Sequence, residues 1–213
     1  MATWAGDSET KPAPGPLARI QALVNTVELE NGTDRLADPT DAVPWLIDHG
    51  LLSPGVAPTA PELDLLKGVR EALRALLVVN AGGPAPAPAV LGALRQVADS
   101  ATARAELGAD GEVALCAAGD TVVDRLVELL VIMHDAQRDG TWVRLKACAN
   151  EECRWAFYDR SRNHGGSWCT MSVCGNKLKN RHFRARRRAE GSPEDSGRDM
   201  PDHGGGQRAH AVE

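Results

Sequence analysis

Four cysteines stand in two evenly spaced pairs, Cys148-x4-Cys153 and Cys169-x4-Cys174, with fifteen residues between the pairs. Zinc takes four thiolate or imidazole ligands in a tetrahedron with Zn–S near about 2.3 Å, and two close pairs across one small hairpin let a short chain surround it. Four sulfurs leave no position for water or substrate, so such a metal holds a fold together and performs no catalysis. Disulfides, redox cysteines or an iron–sulfur cluster are competing uses of the same residues, and the spacing favours one structural zinc over each. His164 falls between the pairs at a turn tip, far from where the sulfurs would meet. Cys116, alone in an apolar pattern, reads as a small buried side chain.

The residues after Cys174 carry charge suited to a polyanion. The chain is acidic overall, at net charge -5, yet residues 141–190 hold a net +8 between a segment at -10 (1–140) and one at -3 (191–213). Attraction to a polyanion is local on the scale of a Debye length, about 8–10 Å in ordinary salt, so the basic segment matters more than the total. From Lys177 to Arg188 there is no Gly or Pro, which predicts a helix. On it Lys177, Arg181, Arg184 and Arg188 share a face, Arg186 and Arg187 extend the charge around it, and Lys179 belongs to the same run.

Such a face suits a DNA major groove, with arginines on phosphates and base edges, Asn176 or Asn180 reaching an adenine, and Arg160 and Arg162 adding backbone contacts from the preceding turn. Single-stranded RNA is the alternative polyanion, with Phe183, Trp168 or Tyr158 stacking on bases, although packing around the metal is the simpler role for these aromatics. A solvated helix end is the plainest use of the charge. Docking onto an acidic partner, or onto this chain's own acidic half, is the remaining one.

The elements that must position these residues follow from periodicity. Hydrophobic residues at 43% with only 4% aromatics predict a largely aliphatic core. Leu17, Ile20, Leu23, Val24 and Val27 predict a first amphipathic helix ending near Asn31 and Gly32. Asp38-Pro39-Thr40-Asp41 predicts the start of a second, with Pro44 in its first turn and Gly50 as its stop. A longer helix runs from about Ala60 through Leu77, another lies near Ala89 to Ser100, and a last one spans Val122 to about Gly140. Alternation around Asp110-Gly111 predicts a hairpin. Trp142 to Lys146 and Trp155 to Tyr158 have strand character, DRSRNHGGS supplies a turn, and Trp168 is expected to lead a further strand.

The expected architecture is mainly α with a small β-hairpin, an α-helical N-terminal domain followed by a small treble-clef-like α+β zinc finger. Its expected parts are a disordered N-terminus (1–15), a helical domain (16–140), the finger with its basic helix (141–190) and a disordered tail (191–213). No apolar run of about 18 residues occurs and the N-terminus lacks the pattern of a signal peptide, which predicts a cytoplasmic protein with no membrane contact. No nucleophile and base stand at usable spacing and no glycine-rich phosphate loop occurs, so an enzyme is not expected. Asn25, Thr26 and Trp45 mark where a small-molecule pocket would lie, with core packing the simpler role for Trp45.

The run C-x4-C, WAFYDRSRN, WC-x4-CGN and a basic helix resembles the CGNR zinc finger, and LVNTVELENGTDRLADPTDAVPWLIDHGLL resembles the start of the ABATE domain that precedes that finger in bacterial stress-induced transcription regulators. Together the resemblances cover residues 17 to 188. They imply a bacterial DNA-binding regulator with a structural zinc on Cys148, Cys153, Cys169 and Cys174, and a helical domain that receives a small-molecule or protein signal. Two departures stand out. Lys177 replaces the name-giving arginine and lacks its planar fork, and His164-Gly165-Gly166-Ser167 occupies positions where family members often carry basic residues.

Overall fold

Residues 9–100 and 102–177 are described in a computed structural model of the chain. Helix α1 (Leu17–Val24) buries Leu17, Ile20, Gln21, Leu23 and Val24, then stops sooner than the periodicity predicts. Thr26 donates its hydroxyl to the Leu23 carbonyl at 2.8 Å, a local alternative to the next helical turn. Val27 therefore joins strand β1 (Val27–Glu28), paired antiparallel with β2 (Thr33–Asp34). The Asn31-Gly32 stop signal is in fact the tip of this hairpin: Thr33 N donates to Asn31 Oδ1 at 2.9 Å and Gly32 sits at φ +73°.

Helix α2 (Pro39–Asp48) starts where expected, with Asp38 accepting from Thr40 N at 2.7 Å and Pro39 leading the first turn. Pro44, expected in that first turn, lies inside the helix instead, where it withholds one backbone donor. Helix α3 (Ala60–Asn80) opens on a capping box of Thr59 and Glu62. A 3-10 turn (Pro88–Leu91) leads into α4 (Gly92–Ser100). The predicted hairpin is β3 (Ala103–Leu107) against β4 (Val113–Ala117), and α5 (Val122–Arg138) opens on a second capping box, Thr121 with Asp124. Cys116 on β4 is half-buried, less enclosed than its pattern predicts.

The aliphatic core is built from Ile20, Leu23, Leu46, Leu66, Leu73, Leu77, Leu126 and Leu129, all fully buried. A 3-10 turn (Trp142–Arg144) then brings in β5 (Leu145–Ala147), paired antiparallel with β6 (Ala156–Tyr158) in the register Leu145↔Tyr158, Lys146↔Phe157, Ala147↔Ala156. Because successive strand side chains point to opposite faces, this hairpin is two-sided. Leu145, Ala147, Ala156 and Tyr158 complete the helical core, while Phe157 packs with the cysteines. Trp168 does not lead a strand; it lies in an irregular segment before Cys169.

The helices and the cysteine-bearing segment belong to one compact unit, Met1–Leu178. Residues 9–15, which composition assigns to a disordered end, run along it: Tyr158 N donates to Lys11 O at 3.0 Å and Ala13 is buried, its N–H donating to Gln21 Oε1 at 2.6 Å. No helix among the described residues is long and apolar enough to cross a membrane.

Candidate metal centre

The two cysteine pairs converge. The Sγ atoms of Cys148, Cys153, Cys169 and Cys174 all lie within 4.8 Å of one another, and Cys148, Cys169 and Cys174 are buried. Sulfurs held tetrahedrally at about 2.3 Å from a central zinc would be about 3.8 Å apart. The Cys153–Cys169 and Cys169–Cys174 pairs stand at 3.7 Å each. A disulfide requires about 2.05 Å, and all four thiols are free. The donor set thus fits one structural zinc and offers no fifth ligand among the described residues; His164 is not in the cluster.

Crowding tells the same story electrostatically. Hydrogen bonds from Cys153, then Cys169, hold the Cys148 thiol far below its usual range, while contact with Cys148, backed by burial, pushes Cys153 up strongly and Cys169 up to about 12. One anionic sulfur suppresses its neighbours, so four thiolates coexist only around a cation. That cation would cross-link the two halves of a segment poor in aliphatic side chains.

Local structure explains the convergence. Cys148 and Cys153 occupy the connection between β5 and β6, closed by Cys148 N to Trp155 O at 2.9 Å and by Cys153 N to Asn150 O at 3.0 Å. Asn150 is buried and its amide points at Cys174 Sγ, 3.9 Å away. Cys174 lies in a π-type turn (Met171–Gly175). A side chain at Gly175 would meet Met171 Sδ at 2.3 Å, so a substitution there would displace the flexible, exposed Met171 side chain.

An ion pair that spacing did not reveal straddles the first cysteine pair in the chain. Lys146 and Asp159 are buried, with Nζ 2.8 Å from Oδ2. Burial opposes the Asp159 charge, but the Lys146 ammonium, together with Ser161 and the Gly166 N–H, holds its carboxyl well below the usual range. Ser161 N and Gly166 N donate to the two carboxylate oxygens at 3.0 and 2.8 Å, and Lys146 also bonds the carbonyls of His164 and Gly166. One buried pair therefore folds the whole 159–166 loop. A Cβ at Gly166 would sit 2.7 Å from that carboxylate.

Residues 144–187 match the CGNR zinc finger, and residues 17–138 match the ABATE family, whose description is "Putative stress-induced transcription regulator". The chain belongs to the ABATE family. No curated protein matches it.

In this ABATE protein the expected polyanion contacts divide. Lys179, Asn180, Arg181, Arg184, Arg186, Arg187 and Arg188, with Phe183, lie outside the described residues. Lys177 is exposed and pairs with Glu30 at the β1–β2 turn, which raises its pKa. Asn176 donates its amide to Ser172 O at 3.1 Å. Arg160 reaches Pro12 O at 3.0 Å, and Arg162 is exposed. Of the aromatics expected around the metal, Trp168 packs there, while Tyr158 belongs to the helical core.

The cavity expected near Asn25 and Trp45 exists, about 440 Å³ in volume. Several of its polar lining residues hold the fold. Gln21 and Asn25 both donate to Ala156 O, Asn25 Oδ1 accepts from Ala156 N at 2.7 Å, and Arg19 spans Glu128 and the carbonyls of His49 and Gly50. Trp45 is stacked on His49, ring centroids 4.0 Å apart, and is counted in the core.

Proposed function

We propose that this protein is a zinc-stabilised, DNA-binding transcription regulator in which the finger supplies affinity for DNA and the helical part receives a signal or partner. The observation that carries the proposal is the basic run rooted at the metal cluster: Lys177 follows Cys174 by three residues, and residues 141–190 hold a net +8 in an otherwise acidic chain. The helix that the sequence predicts over 177–188 would, if anchored at its base by a closed metal site, lose little freedom on meeting a duplex. The family description supports a regulatory role.

Lys177 supports a second reading, docking of the finger against the acidic helical part, because its ammonium is already engaged by Glu30. A duplex would have to displace that carboxylate. Fluorescence anisotropy of the zinc-loaded protein on a random DNA duplex and a matched RNA, across a salt series, separates the readings. With Lys177, Arg181 and Arg184 changed to Ala, the log–log salt slope on DNA is expected to flatten by about 2–3 units. Binding to RNA alone would replace DNA as the partner, and absence of binding to either at low salt would overturn the proposal.

A further inference from the structure

Strand β3 is paired along one edge only, to β4 in a two-stranded sheet, and all of its residues are exposed. At the two ends of the hairpin Ala118 N donates to Thr102 O at 3.1 Å and Gly108 N to Glu112 O at 2.7 Å, in register with Arg104↔Cys116 and Glu106↔Ala114 between them. Ladder bonds alternate along an antiparallel strand, so the even-numbered positions of β3 face β4 and the N–H and C=O groups of Ala103, Ala105 and Leu107 face outward. Among the described residues no strand pairs with that outer edge. The side chains of the same three residues lie beside those of Ala117, Leu115 and Val113 on an apolar face. This face is buried at Ala117 and emerges along the hairpin, with Leu115 46%, Val113 67% and Leu107 74% exposed. The other face of β3 carries Arg104 and Glu106, an exposed ion pair. A two-stranded hairpin is marginal by itself, and an open edge is a template for another strand.

We propose that the outer edge of β3 is a self-association surface, on which β3 of a second copy pairs antiparallel about Ala105 to form a four-stranded sheet. Charge complementarity selects this partner and this register. About Ala105, Arg104 of each copy faces Glu106 of the other, in the non-hydrogen-bonded positions where cross-strand side chains stand closest. The outward groups of Ala105 meet their own copies, and those of Ala103 meet those of Leu107, so every outward N–H finds a carbonyl. Slipping the register by one pair sets Arg104 against Arg104 or Glu106 against Glu106, which like charge disfavours. Edge charges commonly keep strands apart; here two charges of opposite sign, symmetrically placed about Ala105, are complementary to themselves under a twofold axis. The apolar face runs on across the new seam, Leu115 and Ala105 of one copy continuing into Ala105 and Leu115 of the other. The inference does not depend on DNA binding.

Sedimentation of the zinc-loaded full chain over a concentration series tests it, in reducing buffer so that Cys116 cannot cross-link. The wild type is expected to show a reversible monomer–dimer equilibrium. Arg104→Glu and Glu106→Arg, both at exposed positions, are each expected to weaken it by about tenfold or more, since like charges then meet twice across the axis. Mixed one to one, the two variants are expected to associate about as tightly as the wild type, because one strand carries two acids and the other two cations. Ala105→Pro removes an outward N–H and no ladder bond to β4, and is expected to abolish the dimer at unchanged circular dichroism. If that variant unfolds the hairpin, the charge variants carry the test. A wild type monomeric at every concentration would overturn the proposal. So would a folded Ala105→Pro variant that dimerises undiminished, or a mixture no tighter than its components.

Discussion

At the scale of single residues, the four thiols and the Lys146–Asp159 pair do different work. The thiols need a cation to coexist, so removing one sulfur removes the ion and what it contributes to folding. Cys153→Ser and Cys174→Ser are each expected to purify with little zinc and melt at lower temperature; unchanged metal content and melting in both would contradict the centre. The ion pair is buried on both sides, at 6% and 4% side-chain exposure, which makes an unpaired partner costly. Lys146→Met is expected to lose about 3–5 kcal/mol in chemical denaturation, because it strands a buried carboxylate. Pairing Lys146→Met with Asp159→Leu should not restore stability, since Ser161 N and Gly166 N would lose their acceptor.

At the scale of elements, α3 is the bracket on which the rest hangs. Arg70 forks onto Asp34 of β2 at 2.7 and 2.9 Å. Arg74 reaches the Val24 carbonyl at the end of α1 at 2.6 Å and the Arg154 carbonyl beside Cys153 at 3.0 Å. Asn80 donates to the carbonyls of Trp142 and Leu145 at 2.9 Å each. Burial opposes the Asp34 charge, yet Arg70 and the Leu36 N–H lower its pKa overall. A carboxyl held low in the fold contributes stability that is complete above its unfolded pKa, about 3.9, and is lost as pH falls through the folded value. Asp34→Asn is therefore expected to cost about 3 kcal/mol at pH 7 by leaving Arg70 half-paired. Urea midpoints at descending pH should show the gap to wild type constant to about pH 4 and closing below it. A gap that widened in acid would contradict the assignment.

At the scale of the whole molecule, β5–β6 makes one structure of two sequence segments: one face of the hairpin finishes the helical core and the other holds Phe157 against the cysteines. Chelation of zinc is expected to shift the main melting transition. A helical transition left at its original temperature would show that the two parts fold separately. The Lys177–Glu30 contact also joins these parts, across an exposed pair. Glu30→Gln is expected to tighten DNA binding by about twofold to fivefold, the range open to a surface ion pair; weaker binding would mean that Glu30 orients Lys177 productively.

What the sequence by itself determined is what short-range chemistry carries. Ligand spacing announced the zinc cluster, a capping signal placed the start of α2, apolar periodicity placed α3 and α5, and Asp110-Gly111 placed the exposed hairpin. Local competition defeated periodicity at Thr26, where a side-chain hydrogen bond ended α1 early and left Val27 to a strand. Tertiary structure alone decided the rest, because the partners lie far apart in the chain. Lys146 reads as one more cation until Asp159 is placed beside it, Asn25 as a break in a helix until it meets the backbone of Ala156, and Lys11 as part of a polar tail until Tyr158 and Trp168 fix its position. A buried polar group must find its complement wherever the fold brings one, and sequence pattern records the group without recording the complement.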